Sequence, residues 1–139
     1  MSWSNVRTLG SLPPTESLAP LSIPTELSGL SIQDISQALY QLALWSSAAL
    51  QAKSQCRASM KSRERVSQNL KSLLYSSQSS GTAKDKEARV ANDPSFQMSM
   101  SELDEAKAAY DLCESYIAGY DKLSVALSRA LTANTTREF

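Results

Sequence analysis

Between Phe96 and Leu131 an apolar or small residue returns every three or four positions. The series is Phe96, Met100, Leu103, Ala106, Tyr110, Cys113, Ile117, Tyr120, Ser124, Leu127 and Leu131. Its mean spacing is about 3.5 residues, the repeat of a coiled-coil seam, and Ser124 is the one polar break. That period requires one long α-helix with a narrow face to bury. Such a helix gains most of its stability from tertiary packing, so the seam needs a partner. Only the helix that precedes it is comparable.

That preceding helix opens at Ser31. Ser31-Ile32-Gln33-Asp34 resembles a capping box with Asp in place of Glu, and Leu30 is placed to staple onto Ile35. No Pro or Gly interrupts the chain until Gly81, so the helix is expected over about residues 31–76. Its first half is apolar on one face, at Ile35, Leu39, Leu42, Trp45, Ala49 and Ala52. Its middle is polar, and apolar character returns at Leu70, Leu73 and Leu74. A serine-rich run ending in Gly81 reads as a turn. Thr82-Ala83-Lys84-Asp85 reads as a second cap that opens a short helix over 83–92. Asp93-Pro94 then starts the long helix, with Asp as cap and Pro in the first turn, and that helix is expected over 94–133. The polar residues 134–139 are expected to fray. The fold expected is all-α: a long antiparallel helical hairpin with a short connecting helix, hiding its flanks by association with copies of itself.

Residues 1–30 form a different region. Pro13, Pro14, Pro20 and Pro24 forbid a regular element, yet Leu12, Leu18, Leu21, Ile23 and Leu27 are too apolar for a plain linker. An extended arm docked on a helix surface is one reading, and a loose tail is the other. Residues 1–29 lack the charged start and continuous apolar core of a secretory signal, and no stretch is apolar for long enough to span a bilayer. A soluble, intracellular protein without membrane attachment is expected.

The composition excludes much chemistry. The chain contains no His, which removes Ser-His and Cys-His nucleophile pairs and most zinc or iron sites. Cys56 and Cys113 cannot complete a structural zinc site. Both lie on the inner stripe and read as small core residues in preference to a disulfide. Glu102, Asp104 and Glu105 fall in the first turns of a helix, where the dipole favours carboxylates. No Gly-rich phosphate loop is present. Neither an enzyme nor a cofactor is expected.

Charge is the more informative feature. Residues 31–80 carry six basic and two acidic side chains, and residues 81–139 carry seven basic and ten acidic ones. In the basic arm Lys53, Arg57, Lys61 and Arg65 recur every four residues, a gently drifting stripe along one helix. Like charges at that spacing disfavour a bare helix slightly. A polyanion lying along the stripe reverses the sign, and Arg and Lys so placed suit phosphate contacts that hold a strand without reading its sequence. The alternatives are neutralisation by Asp111 and Glu114 of the partner helix, or a solvated face. Aromatic stacking platforms are not obvious beside the stripe, because Tyr40 and Trp45 lie a turn or more upstream.

Stretches in three regions of the chain together carry a family resemblance. The first runs from Gly81-Thr82-Ala83-Lys84-Asp85 through Asn92-Asp93-Pro94. The second is the acidic, Ala-rich Leu103-Asp104-Glu105-Ala106-Lys107-Ala108-Ala109-Tyr110, followed by the basic, Leu-rich Ala126-Leu127-Ser128-Arg129-Ala130-Leu131. The third, upstream, is Asn69-Leu70-Lys71-Ser72-Leu73-Leu74-Tyr75. In type and order they resemble phage UvsY-like recombination mediators, over about residues 36–131. The resemblance implies a helical homo-oligomer, a ring of about six or seven subunits, that binds single-stranded DNA. It implies loading of a RecA-like recombinase onto strands covered by single-strand-binding protein, in the host cytoplasm. It places Lys71, with Arg63 and Arg65, on the DNA backbone. Leu73 stands where that family has a second basic residue, and the serine run replaces a strongly basic turn. The other function class open to such a hairpin is a phage structural or assembly protein, a virion component or chaperone.

Overall fold

The computed structural model describes residues 29–138. Three helices account for nearly all of them: α1 Ile32–Ser76, α2 Ala83–Ala91 and α3 Pro94–Glu138. No strand occurs among the described residues, and the fold is all-α, as the 3.5-residue period requires. The expected N-terminal arm lies almost wholly outside the described residues.

Local chemistry sets the helix ends. At α1 the Ser31 hydroxyl accepts from the Asp34 backbone N–H at 3.1 Å. At α2 Thr82 and Asp85 close a reciprocal capping box. At α3 the Asp93 carboxylate accepts from the backbone N–H of Ser95 at 2.9 Å and of Phe96 at 3.2 Å. A further hydrogen bond from the Ser95 hydroxyl is the main reason the Asp93 carboxyl titrates below its ordinary value. Between α1 and α2, Gly81 has φ +111°, a left-handed conformation that favours glycine.

One boundary differs from the sequence expectation. α3 does not stop near Ala133 but continues to Glu138. Polar side chains at and just before the residues expected to fray bond back to the helix instead. Thr132 Oγ1 donates to the Ser128 carbonyl at 3.0 Å, and Thr135 Oγ1 and Thr136 Oγ1 donate to Leu131 and Thr132 at 2.8 Å. Asn134 Nδ2 donates to the Leu30 carbonyl at 2.6 Å, which ties this end of α3 to the start of α1.

The chain divides into two compact units, and both long helices contribute to each. The first unit combines residues up to Lys53 with residues from Leu112. Its α1 and α3 segments run antiparallel: Leu30 meets Asn134 at one end and Lys53 meets Glu114 at the other. Its core is Ile35, Ala38, Leu42, Trp45 and Ala49 from α1 against Tyr116, Tyr120 and Leu127 from α3. Leu30, Leu39, Leu112, Ile117, Leu123, Ala130 and Leu131 pack around them half-buried. The Tyr116 and Tyr120 rings stack with centroids 6.5 Å apart. Burial of these phenols raises both titrations, Tyr120 to about 12.

The second unit, Ser54–Asp111, is built differently. Its buried side chains include Val90 of α2 and Leu103 of α3, but also a pair of serines. Ser67 of α1 and Ser99 of α3, both buried, meet at 2.7 Å between hydroxyl oxygens. Here too α1 and α3 run antiparallel, with Arg63 paired to Glu102 beside the serines.

Every position of the expected seam from Phe96 to Leu131 is buried or half-buried, including the polar break at Ser124. Leu103, Cys113, Tyr120 and Leu127 are its buried members, and Tyr110, Ile117 and Leu131 are half-buried. Both cysteines are thiols, Cys113 buried and Cys56 half-buried.

Candidate nucleic-acid interface

The six basic residues singled out on α1 fall into two groups. Lys53, in the first unit, pairs with Glu114 of α3 at 3.5 Å. Arg63, in the second unit, pairs with Glu102 of α3. The helical wheel explains the second pair: Arg63 lies close to the direction of the buried Ser67, so its guanidinium is drawn toward α3. These two cations are already engaged by carboxylates of the same chain.

The other four lie in the second unit and are exposed: Arg57, Lys61, Arg65 and Lys71. None has an ion-pair partner among the described residues. Arg57, Lys61 and Arg65 are spaced four apart, about 6 Å of axial rise per step, and face progressively further from α3. Lys71 lies on the flank near Arg57, with Glu64 between them on the same side of the helix. Asp111, a candidate neutraliser of the stripe, is exposed and forms no ion pair with it. The face is therefore a cationic surface with a single interrupting carboxylate. It can hold a phosphate backbone, and it reads no bases by itself.

Sequence reasoning passed over one residue here. Tyr75 lies one turn beyond Lys71, partly exposed, and the ammonium of Lys86 from α2 stands 5.7 Å from its ring centroid. The signal was the i, i+4 spacing of Lys71 and Tyr75, which puts a cation and an aromatic on one helix face.

The structure also places the three neighbouring carboxylates of α3. Glu102 is the partner of Arg63, and Asp104 and Glu105 are solvent-exposed. No cluster of three or more potential metal ligands occurs among the described residues. No helix among them is long and apolar enough to cross a membrane. Comparison with known proteins finds no matching family model, no matching curated protein and no matching solved structure.

Proposed function

We propose that this protein binds single-stranded DNA without enzymatic action, as a recombination mediator that helps load a RecA-like recombinase onto strands held by single-strand-binding protein. The observation that carries the reading is the exposed set Arg57, Lys61, Arg65 and Lys71, which no carboxylate among the described residues pairs with. Four phosphate contacts per subunit give a slope of log affinity against log salt of about −3 for a single strand. Affinity then falls roughly 50-fold between about 50 and 200 mM salt. Fluorescence anisotropy with a labelled oligonucleotide across a salt series tests this. The Arg57→Ala, Lys61→Ala, Arg65→Ala triple variant is expected to have a slope below about −1 in magnitude. Absence of binding at low salt contradicts the reading.

Self-association belongs to the same proposal. From Ile35 to Ala52, α1 carries no charged residue, and Tyr40, Leu44 and Leu50 are exposed on it. Copies of this chain can meet there without like-charge repulsion, whereas the Arg57–Arg65 face opposes such contact. This uncharged face also favours the second reading, a phage structural or assembly protein, in which assembly is the function and DNA is not bound. Light scattering with Leu44→Lys and Leu50→Lys tests the assembly: both are expected to lower the mass. An unchanged mass contradicts assembly through this face.

A further inference from the structure

Phosphate contacts leave one feature of the second unit unexplained. Tyr75, Gln68, Lys71 and Ser72 from the end of α1 line an open cleft of about 570 Å³ together with Glu87 of α2. That volume is in the range of small-molecule sites, roughly 300–1,000 Å³. The α2 side of the cleft is fixed by the turn before it. Gln78 Nε2 donates to the Lys86 carbonyl at 3.1 Å, and Arg89 Nη1 donates to the Ser80 carbonyl at 2.9 Å. Lys86 is thereby held beside the ring and Glu87 at the edge of the cleft.

We propose that this cleft holds one unstacked nucleobase of the bound strand on the Tyr75 ring, with the adjoining phosphate on Lys71. The inference rests on the single-stranded DNA reading. The polarity of the lining supports it. Lys71 supplies a cation on the helix flank that also carries Arg57, where the backbone runs. Glu87 repels a phosphate from the far wall, and its carboxylate accepts from the exocyclic amine of a base. Gln68 and Ser72 add neutral hydrogen-bonding groups. Lys86 against the ring strengthens an aromatic platform that tolerates any base.

The test uses the full chain and three probes of equal length: oligodeoxycytidylate, oligothymidylate and an abasic deoxyribose-phosphate strand. The wild type is expected to bind oligodeoxycytidylate roughly tenfold or more tighter than the abasic strand, since stacking on an aromatic is worth a factor of about 5–150 per base. Tyr75→Leu is expected to abolish that difference while leaving abasic-strand affinity unchanged, and Tyr75→Phe to preserve it. Glu87→Gln is expected to shrink the preference for cytosine over thymine. Equal wild-type affinity for based and abasic strands overturns the cleft and leaves the phosphate face standing. Equal losses on all strands in Tyr75→Leu, with helicity retained by circular dichroism, overturn it too. Failure of the wild type to bind any strand removes both readings.

Discussion

Replacing Ser67 by alanine removes half of the buried hydroxyl pair in the second unit. Ser99 is then left with a largely buried hydroxyl and without its 2.7 Å partner. A stranded buried hydroxyl costs about 1–3 kcal/mol. Alanine returns about 0.5 kcal/mol through its helix propensity. Ser67→Ala alone is therefore expected to destabilise by about 1–2 kcal/mol, and Ser99→Ala by a similar amount. The double variant strands nothing and keeps both propensity gains. It is expected within about 0.5 kcal/mol of the wild type, or slightly above it. The coupling energy of the cycle is then about 2 kcal/mol or more, where non-interacting sites give less than about 0.5. Urea denaturation of the four proteins at one fixed concentration reads it directly, because association shifts apparent stability. Each kilocalorie corresponds to roughly 4 °C in Tm for a chain of this size. A double variant destabilised by the sum of the singles refutes the reasoning. So do two neutral singles, which mean each serine is satisfied by its own helix backbone.

Leu42→Ala empties a fully buried position of the first unit's core and is expected to cost about 2–5 kcal/mol, whereas Leu73→Ala, at an exposed position of α1, costs under about 1; thermal unfolding of both checks the contrast. Tyr116 and Tyr120 titrate above their ordinary value in the fold, so the folded state holds their protons more tightly than the unfolded chain does. Their contribution to stability is complete below about pH 10 and is lost as pH rises toward about 12, measurable as alkaline unfolding that tracks phenolate absorbance. Gly81→Ala forces a side chain into φ +111° and sets a Cβ 3.3 Å from the Arg89 guanidinium; a loss of about 1–2 kcal/mol by chemical denaturation is expected, and an unchanged midpoint contradicts the strain.

The long helices were legible because their signals are local and repeated. The Phe96–Leu131 seam needed only its period, and the caps at Ser31, Thr82 and Asp93 needed only residue types at fixed offsets. Less legible was anything decided by azimuth within the buried face. Tyr116 is among the most buried side chains yet lies one position before the seam residue Ile117, because a straight helix of 3.6 residues per turn widens a 3.5-residue stripe. The far end of α3 was missed because threonines disfavour a helix interior on propensity, while their back-bonds and the Asn134–Leu30 contact hold it. The basic residues were found as a set with Glu114 named as a neutraliser, but the rest of their division was not. Whether Arg63 or Arg65 is engaged depends on which side of α1 faces Glu102, and a one-dimensional list of charges does not contain that.

In the proposed function the cationic face of α1 meets a polyanion. Lysine acylation footprinting with and without a saturating single strand at low salt tests it most directly, since each lysine reports on itself. Protection of Lys61 and Lys71 by at least about fivefold, with Lys122 of α3 unchanged, is the expected result. Labelling of Lys61 and Lys71 that proceeds at the same rate with the strand bound contradicts it.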